Sequence, residues 1–209
     1  FKVTDLEILE NNTIYKGNNR GTVITDTQFE LTSDNFIYLK IINRLEANGD
    51  VQLTDIKNNI TINAEKIFYL KSEEIIYTLG KTIVNVKNEY NIEGYDLTFL
   101  KNEMILYSDK RATIIDNNSN VYNINEFKYF INQEILKGNE INYRTKAKID
   151  EEDEYYFETG FFNLKEDKFL GKDIDIKFHK TLFYDEENDP RIKAASGYGN
   201  EFNTYLDKG

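Results

Sequence analysis

The chain contains no cysteine. That absence removes disulfide scaffolds, thiolate metal sites and cysteine nucleophiles together. Histidine is nearly absent too: His179 stands alone, so a Ser-His-Asp relay could be built only around it. The run Lys177-Phe178-His179-Lys180 has no Gly-x-Ser-x-Gly partner, and His179 reads as a surface residue at a strand end. Proline occurs once, at Pro190. Uncharged apolar runs are short everywhere, and none approaches the roughly eighteen residues of a membrane-spanning helix. Positive charge is sparse, with 26 Lys and Arg against 37 Asp and Glu. The net charge of −11 opposes binding to a phosphate backbone, which needs clustered cations.

Motifs for chemistry are equally scarce. Gly197-Tyr198-Gly199 opens no helical pattern, so it is not a dinucleotide fingerprint. The acids from Asp150 to Glu154 are contiguous, unlike the alternating ligands of a calcium loop, and the charged run from Lys146 reads as a solvated loop. A carboxylate pair for glycoside hydrolysis is defined in space rather than along the chain. The expectation is a protein that is not an enzyme and holds no cofactor and no metal.

What the chain does contain is a repeated unit. Over 209 residues, 40% are hydrophobic and 14% aromatic, enough for a sizeable core. In Ile60-Thr-Ile-Asn-Ala-Glu-Lys-Ile-Phe-Tyr-Leu-Lys71, Ile60, Ile62 and Ala64 share one strand face, because side chains alternate with period two. Ile67 and Tyr69 are out of phase with them. An extra residue near Glu65-Lys66, a bulge or corner, restores the phase. About thirty residues on the pattern returns with Ile92, Gly94, a break, then Leu97 and Phe99. It returns again with Tyr122, Ile124, a break, then Phe127 and Tyr129. Units of strand, corner, strand and turn are therefore expected at roughly 49–78, 79–108 and 109–138, with a looser one over 139–171. Gly49, Gly80, Gly138 and Gly171 recur after the second strand, where a tight connection would want positive φ.

The fold class expected is all-β, with strands near 50–55, 59–70, 75–77, 81–87, 90–100, 104–107, 112–116, 120–131 and 173–179. Phe127, Phe130, Ile131 and Ile135 fit a helical face equally well, and the repeat decides for strand. Asn48-Gly49-Asp50 carries a hairpin signal. Residues 1–20 read as an edge segment and 21–178 as the β-domain. Residues 179–209 read as a Pro- and Gly-bearing connector leading to a further, membrane-embedded part. The first residue is Phe and nothing terminates the last stretch, so a longer natural polypeptide is expected. Tyr69, Phe99, Tyr129 and Phe162 fall at corresponding places in successive units. They can line a closed packed core or a long apolar groove.

Units of the form Ala64-Glu-Lys-Ile-Phe-Tyr69, preceded by Asn48-Gly-Asp-Val-Gln52, resemble the repeats of the OstA-like periplasmic domains of lipopolysaccharide transport. The tail, with Lys177-Phe-His-Lys180, Asn188-Asp-Pro-Arg-Ile-Lys193 and Ser196-Gly-Tyr198, resembles the junction between periplasmic domain and barrel in LptD-type outer-membrane proteins. The resemblance spans roughly residues 21–209. It implies a β-jellyroll of stacked, V-shaped antiparallel units with open edges, at the periplasmic face of the cell outer membrane. The implied function is to receive lipopolysaccharide from an LptA-like bridge protein and pass it to an outer-membrane barrel that works with an LptE-like lipoprotein. Acyl chains would lie in a groove of Ile62, Ile67, Tyr69, Ile92, Leu97, Phe99, Ile124, Phe127, Tyr129 and Phe162. The bridge protein would dock by strand addition on an edge at Val23, Thr25 and Thr27. A cysteine expected near the junction in some members is absent here. The competing reading is a non-catalytic β-solenoid or sandwich that binds carbohydrate or acts as a scaffold. Inward aromatics favour lipid, and flat outward tyrosines favour sugar.

Overall fold

In a computed structural model, residues 2–24, 29–145, 152–180, 190–200 and 203–209 are described, with side chains from Asp5 onward. The protein is all-β: 72% of it is strand, the pairing is antiparallel, and no helix occurs among the described residues. It divides into two compact units, residues 1–106 and 107–209. The first holds β1 (Lys2–Leu9), β2 (Ile14–Ile24), β3 (Phe29–Ser33), β4 (Asn35–Leu39), β5 (Arg44–Asp55), β6 (Ile60–Leu70), β7 (Ile75–Val86), β8 (Tyr90–Tyr95) and β9 (Thr98–Leu100). The division falls within β10 (Ile105–Ser108). The second holds β11 (Ala112–Asp116), β12 (Val121–Phe130), β13 (Ile135–Arg144), β14 (Glu154–Asn163), β15 (Lys168–Lys177), β16 (Arg191–Asn200) and β17 (Thr204–Asp207).

In the first unit the long strands turn a corner at mid-length. Along β6 the buried residues are Ile60 and Ile62, then Ile67 and Tyr69, so the buried phase flips from even to odd. The pairing shows how. Between Ala64 and Lys66 a single residue, Glu65, faces two on each neighbour, Gly49-Asp50 of β5 and Gly80-Lys81 of β7. Two residues opposite one is a bulge, which bends a strand and sharpens its twist. Gly49 and Gly80 take φ of 80° and 83°, and Asp50 takes 43°, the left-handed region that glycine enters without steric cost. Asn48-Gly49-Asp50 is therefore a corner inside β5 and not a hairpin, a correction to the sequence expectation. Both devices need consecutive residues at positive φ, so they share one sequence signature.

Where the corner interrupts the backbone ladder, buried hydroxyls take over. Ser33 Oγ lies 2.8 Å from the Asn35 carbonyl and 2.9 Å from that of Asn48, and it accepts the Asn48 N–H at 3.0 Å. At the next corner Thr82 donates to Thr78 at 2.7 Å, and Thr78 Oγ1 accepts the Leu97 N–H at 3.0 Å. A buried backbone group left without such a partner would cost about 1–3 kcal/mol.

The second unit bends differently. From β13 to β16 the register runs without a shift, yet the buried phase still flips: Leu136 then Ile141 on β13, and Phe157 then Phe162 on β14. Gly138, Gly160, Gly171 and Gly197 face one another across these four strands. Of the recurrent glycines expected to need positive φ, Gly49 and Gly80 do, while Gly138 and Gly171 do not. At Gly171 the requirement is closeness. An added Cβ would come within 2.2 Å of Phe157 Cδ1, so the ring of one leaf lies on bare backbone of the next strand.

Segment 121–144 is two strands, with no helix. Within the expected connector 179–209, most of the described residues are sheet: β16 pairs with β15 from Arg191 to Asn200, and β17 pairs with β16. Its run Ala194-Ala-Ser-Gly-Tyr-Gly199 looked like loop because its inward positions are small. Of the charged insertion, residues 146–151 lie outside the described residues, and Glu154 opens β14.

The glycine row yields a stability prediction. Gly171→Val should destabilise the second unit by about 1–3 kcal/mol through overpacking against Phe157. Leu170→Ala, on the exposed outer face, should cost about 0.5 kcal/mol or less. Urea unfolding of both variants beside wild type measures the difference.

Candidate functional site

The residues expected to form an apolar groove separate into a closed core and an open cavity. In the first unit Ile62, Ile67, Tyr69, Ile92, Leu97 and Phe99 are all fully buried. Tyr69 stacks on Phe29 at 6.2 Å, with 20° between the rings, so two leaves of the sheet meet there. The Tyr69 hydroxyl donates to Glu74 Oε2 at 2.8 Å. Glu74 is paired with the Lys101 ammonium, which sits 4.4 Å from the centre of the Phe29 ring. The end of this core is thus plugged by a half-buried ion pair, and Lys101 is an interior cation. In the second unit Ile124, Phe127 and Tyr129 are also fully buried. Of the expected groove, Phe162 lines an open space.

That open space is a cavity of about 700 Å³ inside the second unit. Its walls are the inward faces of two leaves. One presents Phe162 and Phe169. The other presents Tyr143, Tyr155 and Ile176, with Tyr122 beside them. Facing rings interlock at the narrow end: Phe162 meets Tyr122 edge-on at 5.4 Å and Tyr143 at 5.7 Å, and Tyr155 meets Phe169 at 6.0 Å. Edge-to-face contact is the favoured geometry for aromatic pairs.

The cavity exists because the inward residues shrink toward β17. Along one row they run Leu136, Phe162, Phe169, then Gly199 and Thr204. Along the facing row they run Ile141, Phe157, Ile174, then Ala194. Rings fill the space at β14 and β15, and nothing comparable fills it at β16 and β17. Ile192, Leu206, Phe178 and Thr204 line this wider end.

The rim is polar and its charges are mostly paired. His179 Nδ1 and the His179 N–H both contact Asp153 Oδ1, at 2.8 and 2.9 Å. The Asp153 N–H donates to Thr145 Oγ1 at 3.2 Å. The ends of β13, β14 and β15 are therefore clasped together at the cavity mouth, and His179 is half-buried there instead of lying on the open surface. Lys168 is bonded to Glu166 at 2.8 Å, which holds the Glu166 carboxyl below its usual range through the hydrogen bond and then the charge. Asn118, Asn120, Asn163 and Asn200 supply amides around the opening. No cluster of three or more metal-ligating side chains occurs among the described residues.

The walls are apolar enough to shift their phenols. Burial, partly offset by the Tyr122 hydrogen bond, pushes the Tyr143 hydroxyl well above its usual value. Burial also pushes Tyr155 up to about 12. On the outer corner, the Glu158 carboxyl is raised by its hydrogen bond to Asp173 and then by that carboxylate's charge. This is a surface repulsion away from the cavity.

Of the expected docking edge at Val23, Thr25 and Thr27, the structure describes Val23. Val23 pairs with Leu31 of β3 and is buried, while Thr25 and Thr27 lie outside the described residues. Its strand, β2, is flanked by β1 on one side and by β3 and β4 on the other. The outer strand at this end is β1, whose side chains from Asp5 to Leu9 are all exposed. This agrees with the reading of residues 1–20 as an edge segment, although Val3, Leu6 and Ile8 alternate only weakly, with a register shift at Thr4.

No family model matches the chain, and no curated protein matches it significantly.

The buried phenols give a pH prediction. The folded state holds the Tyr155 proton up to about 12, whereas the unfolded chain releases it near 10. The stability from the buried neutral phenol is fully present below pH 10 and is lost as pH rises toward 12. Hydrogen-exchange protection in β13 to β15 should fall across that window, and Tyr155→Phe should flatten the fall.

Proposed function

We propose that this is a non-catalytic lipid-carrying protein of lipopolysaccharide transport, built as OstA-like β-jellyroll units and acting at the periplasmic face of the outer membrane. The observation that carries this reading is the aromatic-walled cavity of the second unit, open at its wide end and rimmed by amides. Two leaves of an antiparallel sheet with an apolar interior can shelter acyl chains while a sugar head stays at the polar rim. Each methylene transferred from water gains ~0.8 kcal/mol. The sequence resemblance supplies the identity of the lipid and of the partners: an LptA-like bridge protein upstream, and an outer-membrane barrel with an LptE-like lipoprotein downstream.

The first unit serves as the receiving end in this reading. Its core is full, and its terminal strand β1 presents an outer backbone edge with Leu6 and Ile8 each about half exposed. An incoming strand gains main-chain hydrogen bonds there, which is how open edges recruit partners.

A second reading has one observation in its favour. Tyr198 and Tyr205 stack at 5.0 Å on the outer face and remain more than half exposed, a platform on which a free carbohydrate could lie.

Photo-crosslinkers separate these readings. At Tyr155 or Phe169 they should capture lipopolysaccharide in cells, and at Tyr69 or Tyr129, inside closed cores, they should capture little. Capture at Tyr198 and Tyr205 alone would favour the carbohydrate platform and sink the cavity. For the edge, successive N–H groups of a strand point to opposite sides, so proline at Leu6 or at Glu7 removes an outward donor in one variant. One of the two should weaken binding of the upstream bridge protein about tenfold or more without changing the cavity's lipid capture. Normal binding by both would place the docking edge elsewhere.

A further inference from the structure

We propose that the outer face of the second unit binds an acidic polysaccharide, laid across β12 to β17 with an anionic group between Lys128 and Lys137. This goes beyond the lipid reading and does not depend on it, because the residues concerned point away from the interior that holds the cavity.

The strand register builds the surface. Lys128 stands opposite Lys137, Lys137 opposite Phe161, and Phe161 opposite Leu170. Leu170 in turn stands opposite Tyr198, and Tyr198 opposite Tyr205. The chain neighbours Tyr129, Leu136 and Phe162 are buried, so alternation turns this row outward. Both lysines are exposed, and Leu170, Tyr198 and Tyr205 are each more than half exposed. Adjacent strands lie ~4.8 Å apart, so a row over six strands runs about 24 Å. One step across the strands is close to the length of one pyranose, so a chain of sugar rings can follow the row.

Charge selects the kind of polysaccharide. The protein carries a net charge of −11, and on the other leaf of this unit the outward lysines have carboxylate partners. Lys177 pairs with Glu154 at 3.7 Å, and Lys193 with Asp175 at 3.2 Å. Lys128 and Lys137 lean on rings instead. Both ammoniums lie 5.2 Å from the centre of the Phe130 ring, and that of Lys137 is 5.3 Å from Phe161. Among the described residues neither has a carboxylate partner. Like charges directly opposite each other destabilise a strand pair, so an anion between these two lysines relieves the pair. The nearby acids sit at the margins: Glu166 holds Lys168 at 2.8 Å, and Glu126 accepts from Asn139 at 2.9 Å. Asp207 lies two residues beyond Tyr205, at the end of the row away from the lysines.

A bilayer fits this face less well. Interfacial binding scales with the apolar area that sinks among the headgroups, and Leu170 is the one aliphatic side chain of the row. Phe130 and Phe161 are half-buried beside the lysine ammoniums. Sugars use what is present: C–H faces lie on Leu170 and the rings, hydroxyls reach the tyrosine oxygens, and a carboxylate accepts from the ammoniums.

The test is calorimetric titration of the purified full chain with hexamers of polygalacturonate, polyglucuronate and hyaluronan, beside neutral cellohexaose. At least one acidic hexamer should bind about tenfold more tightly than cellohexaose, and added salt should erase the difference. Lys128→Gln and Lys137→Gln should each remove most of that advantage and leave cellohexaose unchanged, while Lys137→Arg keeps it. Tyr198→Ala should weaken acidic and neutral chains alike, by about fivefold. Lys193→Gln, on the other leaf, should change nothing. Urea unfolding of each variant separates lost contact from lost fold. Failure of all three acidic hexamers would overturn the proposal, as would equal losses for Lys193→Gln and Lys137→Gln. Lys137-dependent binding to phosphatidylglycerol vesicles without binding to any hexamer would overturn it too, in favour of a membrane contact. Lipopolysaccharide capture at Tyr155 and Phe169 is scored separately, so either reading can fail while the other stands.

Discussion

A strand that lines an interior on both sides of a bend cannot keep strict period two. Its side chains alternate, so the set that points inward before the corner would point outward after it unless the phase is reset. Everything else in this protein depends on that reset. The first unit makes it by insertion, two residues against one at Gly49-Asp50, Glu65 and Gly80-Lys81. The second makes it by insertion between β12 and β13, where Glu126 and Phe127 stand opposite Gly138, and in register from β13 to β16, with a row of glycines on which Ile141, Phe157 and Ile174 side chains rest. Insertion places positive φ at Gly49, Asp50 and Gly80, and the in-register bends place it at Glu140 and Asp173 while also needing missing Cβ atoms at the neighbouring glycines. Glycine satisfies both, which is why it recurs through both units for different physical reasons.

Once the leaves face each other, the size of the inward residues decides whether the space between them is full. In the first unit large side chains meet across the fold, as Phe29 and Tyr69 do, and a half-buried Lys101–Glu74 pair finishes the end. In the second unit the inward series falls from Phe162 and Phe169 to Gly199 and Thr204. The same architecture is therefore solid in one place and hollow in another. The register makes the hollow a consequence of composition at β16 and β17, with no change in how the strands pair.

This explains what could be read from the sequence. The phase break between Ile62 and Ile67 was visible because β-branched and aromatic residues mark both phases, and the bulge lies where they disagree. Helix was rejected correctly around Phe127 to Ile135 by comparison with neighbouring repeats. The site was harder. Tyr69, Phe99 and Tyr129 share a repeat position with Phe162, yet Phe162 is the one of them that borders the cavity, because hollowness depends on what sits on the facing strand. The cavity's other walls, Tyr143, Tyr155 and Phe169, belong to the looser fourth unit. Ile192 and Thr204 belong to a stretch whose small residues resembled a linker. Residues 1–20 read as an edge segment without a defined strand, because exposure on both faces leaves β1 with little alternation to see.

Under the proposed lipid-carrying reading the cavity must also release what it holds, and its chemistry bears on how. Two acyl chains of about a dozen carbons each, taken from water, would gain on the order of 20 kcal/mol gross, beyond the reach of almost any reversible complex. Under the proposed reading the chains never come from water. They leave one apolar interior for another, so burial nearly cancels between donor and acceptor. What remains to set direction is the difference in fit: ring contacts that must part to admit a chain, and amides that bind the head at the rim. Both are small, adjustable quantities of a few kcal/mol. In that reading a partly open, aromatic-walled slot with its rim charges mostly paired keeps the exchange near balance, and an enclosed pocket with a strong charged anchor would not.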